Sequence, residues 1–147
     1  MITHALGGFR LALPDGYAEA ACDGRLVFTG PDGEEIAGSS AAVEGEGPEA
    51  RRRMLRDRLV QGAIRDVQRA ACQPDLEVVV PLAHAPGADG IETWNLVTRS
   101  AAGRLFAQAV VASEGAVAVL SFQGRNERGA VGRWFAVLEA VRPGSAT

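Results

Sequence analysis

The stretch from Pro48 to Ala71, PEARRRMLRDRLVQGAIRDVQRAA, determines how the rest of the sequence is interpreted. Its apolar residues recur at helical spacing and fall within one half of a helical wheel, as in a helix that packs one side on a core. They are Leu55, Leu59, Val60, Ala63, Ile64, Val67 and Ala71. Pro48 suits the first helical position, and Pro74 ends the pattern. The sequence therefore predicts one long amphipathic helix in the first half of the chain.

Predicted strands flank this helix on both sides. The three that precede it cover residues 9–13, 25–29 and about 35–43. The four that follow it cover residues 76–82, 91–98, 104–112 and 116–122. Turns rich in Pro, Asp and Gly separate the strands, and a second helix at about 127–140 ends before Pro143. The predicted order is β-β-β-α-β-β-β-β-α.

The last two predicted strands are apolar on both faces, which indicates a strand covered from both sides. We therefore predict an α+β fold, a mostly antiparallel sheet with a helix packed on each face. With 147 residues and a mass of 15.4 kDa, residues 1–147 fit a single domain.

Composition limits the cellular compartments and the classes of binding partner that we expect. The formal net charge is −3 and all 15 basic residues are arginines, so non-specific nucleic-acid or anionic-membrane binding is not expected. The first eight residues lack the basic start and apolar run of a secretory signal, and no apolar stretch is long enough for a membrane span. We expect a bacterial cytoplasmic protein in which Cys22 and Cys72 are buried or half-buried thiols, with a single disulfide left open.

The sequence predicts no catalytic residues, no metal and no cofactor. His4 and His84 are the only histidines, and neither has a partner at a recognised catalytic or metal-ligand spacing. The segment 45–50, GEGPEA, matches the sequence pattern GxGxx(G/A) of dinucleotide-binding loops. Its acidic residues and Pro48 oppose phosphate binding, and the acids suit the positive end of the helix dipole.

The first predicted helix carries a row of arginines opposite its apolar side. The row consists of Arg51, Arg58, Arg65 and Arg69, and the acidic residues that usually balance such a face at helical spacing are missing. One interpretation is an ordinary solvated helix face, and the other is a surface for an acidic partner. Arg52 and Arg56 are expected to cover the edge of the apolar side with their aliphatic stems.

Trp94 is a second candidate partner-binding residue. It lies in the predicted strand 91–98 on the same side as Glu92 and Leu96. Two interpretations stay open: a core residue that covers one sheet face, or a half-exposed anchor at an interface.

Two short motifs and the element order resemble the PsbP-like superfamily. The first motif is FRLALPDGY at residues 9–17, in which Tyr17 replaces the commoner Trp, and the second is WFAVL at 134–138, which runs into Val141-Arg142-Pro143. The superfamily includes extrinsic photosystem II subunits, a Ran-binding import factor, DcrB-type proteins and the Eag-type adaptor chaperones of type VI secretion. The resemblance implies a binding protein without catalysis.

These observations together predict a non-catalytic, cytosolic protein-binding module. We expect a dedicated partner of a bacterial secreted toxin or effector, either an immunity protein or a type VI secretion adaptor chaperone. An acidic body with one basic row suits the electrostatically steered association of an immunity protein, and the absence of a long, exposed apolar strand pattern favours this version. The alternative is a small-molecule-binding or hydrolytic domain with a pocket between sheet and helix, near His84. A homodimer is compatible with the sequence.

Overall fold

The computed structural model describes residues 1–43 and 47–144, which form ten strands, two α-helices and a 3-10 turn at Ala88–Gly90. The elements before the first long loop are β1 (Ile2–Leu6), β2 (Phe9–Leu13), β3 (Ala18–Cys22), β4 (Arg25–Thr29) and β5 (Glu35–Ala42). They are followed by α1 (Glu49–Ala71), β6 (Leu76–Pro86), β7 (Glu92–Ser100), β8 (Arg104–Ala112), β9 (Ala116–Arg125), α2 (Ala130–Glu139) and β10 (Arg142–Pro143).

The strands form one large and one small sheet. The large sheet has seven strands in the order β3-β4-β5-β9-β8-β7-β6, and the small sheet has the order β1-β2-β10. Every neighbouring pair is antiparallel. The two strands that are apolar on both faces, β8 and β9, lie side by side near the middle of the large sheet. This position explains their composition, because a central strand is covered from both sides.

Two hydrophobic clusters occupy opposite faces of the large sheet. On one face, α1 packs Val60, Ile64 and Val67 against strand residues that include Val110 and Val117. On the other face, α2 packs Trp134, Val137 and Leu138 with the small sheet and the remaining strand residues. Along β8 the side chains alternate between the two clusters, as the period of a strand requires. The predicted fold class, with a helix on each face, is confirmed.

The structure corrects the sequence analysis in several details. The strands β1, β3 and the two-residue β10 were not predicted. All five residues of β3 are exposed, so its AEAAC sequence has no inward-facing alternation to signal a strand. Leu59 is 42% exposed because the buried side of α1 centres on Val60, Ile64 and Val67. Cys22 and Cys72 are free thiols on the surface, and the expectation that they are buried is wrong. Gly45 and Glu46 of the GEGPEA segment lie outside the described residues.

Candidate functional site

The outer side of α1 carries the predicted arginine row. All four members, Arg51, Arg58, Arg65 and Arg69, are exposed. Arg69 approaches Asp66 at 4.0 Å. Within residues 1–43 and 47–144, neither Arg58 nor Arg65 has a carboxylate oxygen within 4.0 Å. The row therefore presents guanidinium groups that are available for a partner.

Two apolar side chains lie beside the arginine row. Met54 is 52% exposed and precedes Arg58 by one helical turn. Leu59 is exposed between the row and the buried side of the helix. Arginine and methionine are enriched in the cores of protein–protein interfaces, where apolar contact and charge recognition occur together. The outer side of α1 thus has the composition of an interface.

Trp94 is on a different part of the molecule from the arginine row. It lies on the sheet face beneath α1, partly buried against the cluster that contains Val60 and Val110. Its indole stacks on the His84 ring with centroids 4.7 Å apart and planes inclined by 11°. As the sequence indicated, it shares a side of β7 with Glu92 and Leu96. The structure therefore does not bring Trp94 together with Arg51, Arg58, Arg65 and Arg69.

Beside Trp94, a charged cluster joins α1 to the sheet. The Arg56 guanidinium, whose side chain is only 15% exposed, contacts Glu92 at 2.6 Å and donates from Nε to the Ser113 carbonyl at 2.7 Å. The other oxygen of Glu92 lies 3.2 Å from Nε2 of His84. The hydrogen bond from Arg56 lowers the pKa of the Glu92 carboxyl. The ionised Glu92 carboxylate in turn fixes the position of the Arg56 guanidinium.

The charged cluster opens into a cleft of about 330 Å³ under the first turns of α1. Its walls carry both signs of charge, from Glu49, Arg52, Arg53, Arg56, Asp57, Glu92 and Glu114. The side chain of Arg56 is largely buried beside this cleft, whereas Arg52, which was also expected to cover the apolar edge, is exposed at the cleft. Such a mixed surface suits polar recognition of a protein chain better than capture of a single ion.

Sequence reasoning missed this charged cluster. Arg56 and Glu92 are 36 positions apart, and the contact depends on how α1 crosses β7. The pairing of His84 with Trp94 depends on two irregularities in the register of β6. The only available signal was that Glu92 and Trp94 share one side of a strand.

The remaining histidine and the tyrosine of the first motif have structural environments. His4 packs on Phe28 with ring centroids 4.8 Å apart. Tyr17 donates a hydrogen bond to Glu34, and Arg133 of α2 contacts the same carboxylate at 3.4 Å. Burial and the neighbouring Glu34 carboxylate raise the pKa of Tyr17, which keeps its hydroxyl protonated as the donor. Through Glu34, Tyr17 thus connects the turn after β2 to Arg133 of α2.

Two features are absent from the residues that the structure describes. In the part of the chain that the structure describes, no three His, Cys, Asp or Glu side chains come together closely enough to hold a metal ion. Among the same residues, neither helix combines the length and the apolar character needed to cross a bilayer.

The fold is PsbP-like. The chain is similar to the solution structure of cyanobacterial PsbP, CyanoP, from Synechocystis sp. PCC 6803, with a TM-score of 0.57 and 14% identity over 92% of this chain and 86% of that one. A crystal structure from Bacteroides thetaiotaomicron VPI-5482 has a TM-score of 0.55 and 10% identity over 95% of this chain, which spans 46% of that one. No protein-family model and no curated protein sequence matches the chain. At these identities the similarity establishes the fold and not the function.

Proposed function

We propose that this chain is a non-catalytic protein-binding module that docks an acidic surface of a partner protein on the outer side of α1. The observation that carries the proposal is the exposed arginine row, with Arg58 and Arg65 lacking a carboxylate within 4.0 Å among the described residues. Each guanidinium can hold a carboxylate through two parallel hydrogen bonds. Met54 and Leu59 add apolar contact at the same surface.

The charge distribution supports an acidic partner. The chain as a whole carries a net charge of −3, whereas the outer side of α1 concentrates arginines along one helix. Two acidic proteins repel each other except where one presents a basic surface, so the row would orient the partner during encounter as well as bind it. The acidic clusters elsewhere on the chain would disfavour other orientations.

We further propose that the partner is a bacterial secreted toxin or effector and that binding takes place in the cytoplasm. The resemblance to DcrB-type and Eag-type proteins supports a binding role of this kind. The exposed free thiols of Cys22 and Cys72 suit a reducing compartment.

The immunity version of the proposal agrees better with the surface than the adaptor version. An adaptor that shields apolar helices needs an apolar sheet face. The part of the sheet left uncovered beside the C-terminal end of α1 is mixed, because Gln108, Ser121 and Gln123 lie among apolar residues that include Leu96 and Phe106. The arginine row, rather than this part of the sheet, favours the immunity version, because it would suit an acidic surface of a toxin.

Affinity purification from the native bacterium tests the proposal. Tagged wild-type protein should retain one partner in near-equal amount, and retention should weaken as salt rises. The double variant Arg58→Glu with Arg65→Glu should lose that partner. The matched control is Arg104→Glu with Arg125→Glu, which makes the same change of charge at two exposed strand residues away from α1 and should keep it.

Two outcomes would overturn the proposal. One is the absence of any stoichiometric partner, and the other is equal retention by the row variant and its control. Where a partner is retained, its toxicity when expressed alone and its rescue by this chain would identify the immunity version. Dependence of the partner's own solubility on this chain would identify the adaptor version.

A further inference from the structure

A second site lies on the opposite face of the sheet from the arginine row. It is a pocket of about 380 Å³ between the edge strand β6, its neighbour β7 and α2, in the lower part of the size range of small-molecule sites. Most of its wall is apolar and is formed by Val80, Ala83, Ala85, Phe135 and Leu138. A pocket of this kind can enclose a compact aliphatic or aromatic group.

One end of a polar side chain that lines the pocket, the Nδ2 group of Asn95, lacks a hydrogen-bond partner. Asn95 is only 4% exposed, and its Oδ1 accepts a hydrogen bond from Nε1 of Trp134 at 2.7 Å. The indole N–H can only donate, so the amide oxygen must face Trp134 and the orientation of the amide is fixed. Its other end, Nδ2, is a buried donor without an acceptor. Buried donors are nearly always paired, so this one indicates a missing acceptor.

The course of β6 explains why the pocket exists at this position. The register between β6 and β7 shifts twice, between Val78 and Val80 and again between Val80 and Ala83, directly before Ala83 pairs with Asn95. Pro81 lies within the second shift and cannot donate a ladder hydrogen bond. The edge strand therefore leaves the regular ladder beside Asn95, and bulges of this kind often occur next to binding sites.

We propose that this pocket binds a small neutral carbonyl compound, such as an amide or an ester with a short apolar body, and that the side chains covering Nδ2 of Asn95, which has almost no accessible surface, move aside so that the carbonyl oxygen accepts its hydrogen bond. The charge of the wall determines this class. Among the described residues that line the pocket, Glu139 is the one ionisable side chain, and none is an arginine that could bind a carboxylate. The hydroxyl of Thr93 is directed to the Ala85 carbonyl at 3.4 Å, which leaves the amide of Asn95 as the available donor.

Nuclear magnetic resonance titration with three matched probes tests this inference. Hexanamide supplies a neutral carbonyl, hexanoate supplies a charged one, and hexylamine, which is a cation at neutral pH, supplies no acceptor. Hexanamide should shift the side-chain amide signals of Asn95 and the backbone signals of Ala83 and Leu138 in a saturable manner. Hexanoate and hexylamine should bind at least about tenfold more weakly.

A variant whose new side chain fills the pocket distinguishes binding in the pocket from non-specific binding elsewhere on the protein. Ala83 is an exposed residue of an edge strand, so Ala83→Phe should fold and should abolish the shifts by occupying the pocket. The matched control, Ala20→Phe on the other edge strand, should bind hexanamide like the wild type.

Three results would overturn the inference: no saturable shift with hexanamide, equal binding of hexanoate, or unchanged binding by a folded Ala83→Phe variant. The result is independent of the proposed function, because Ala83→Phe leaves the outer side of α1 intact. Retention of the protein partner by this variant would show that the two sites act separately.

Discussion

The two helices cover opposite faces of the same sheet, yet they divide their residues differently between core and surface. Three of the 23 residues in α1 are buried, namely Val60, Ile64 and Val67. In α2, four of ten residues are buried, including Trp134 and Leu138. A helix that buries a small share of its residues leaves a large surface for a partner. We therefore expect α2 to contribute more to stability than α1, whereas α1 carries the surface to which the proposed function assigns the partner.

The kind of interaction also differs between the two faces. On the α2 face, Trp134 and Asn95 form a neutral hydrogen bond inside an apolar environment. On the α1 face, Arg56 and Glu92 form an ion pair at the edge of the core, within reach of water. Buried neutral bonds and packing respond little to salt, whereas half-exposed charges are screened. The effects of mutations on the free energy of unfolding should thus differ between the two faces, both in size and in their dependence on pH and salt.

The largest expected effect follows from truncation of Trp134, which is fully buried in the α2 face. We expect Trp134→Ala to lower the free energy of unfolding by about 3–5 kcal/mol, because it leaves a cavity and removes the partner of Asn95. Urea unfolding followed by circular dichroism measures the change. Met54→Ala on the exposed side of α1 is the control and should cost less than about 1 kcal/mol. Equal costs for the two variants would contradict the division of roles between the faces.

An intermediate effect on stability is expected for Arg56. Among the arginines of α1, all of which the structure describes, Arg56 is the one whose side chain is largely buried. Arg56→Met keeps most of the stem but leaves the Ser113 carbonyl without its donor and Glu92 without its main partner. We expect a loss of about 1–3 kcal/mol in urea unfolding. Arg58→Met, on the outer side of the same helix, should be close to neutral. A neutral Arg56→Met variant would contradict a stabilising role for the contacts of Arg56 with Glu92 and Ser113.

The sequence predicted those elements whose pattern is strong and local. The 23 residues of α1 repeat the helical period several times, and the doubly apolar pattern of β8 and β9 matches their central position. In contrast, the five exposed residues of β3 contain three alanines, and nothing in that composition distinguishes a strand from a loop. Composition also misplaced Cys22, because a thiol is apolar enough to be expected inside.

The candidate sites were harder to predict because they depend on pairs that are distant in sequence. The arginine row lies on one helix, so helical spacing alone predicted its shared face. The contact of Glu92 with His84 requires the register of β6 and β7, which two irregularities alter. Asn95 gave a partial signal, as a polar residue in a strand between the apolar Leu96 and the aromatic Trp94. Its donor, Trp134, is 39 positions away, so the pairing itself could not be predicted.

The smallest expected effect concerns pH and further tests the comparison between the faces. The pKa of Glu92 lies below the ordinary glutamate value of about 4.3 because Arg56 binds its charged form. A group whose folded pKa is lowered contributes stability above its unfolded pKa and loses it as pH falls through the folded pKa. The side chain is 36% exposed, so solvent screening limits this contribution to less than about 1 kcal/mol.

Glu92→Gln should therefore be slightly less stable than the wild type near about pH 7, and the two stabilities should converge as the pH falls below about 4. Urea unfolding across this range measures the difference, and added salt should reduce it at neutral pH. Asn95→Asp on the other face is an informative contrast, because its added carboxyl lies in an apolar environment and would be charged only at a cost. That variant should lose stability as the pH rises, opposite in sign to the wild-type contribution of Glu92. The same trend with pH on both faces would mean that the sheet does not separate a charged environment from an apolar one.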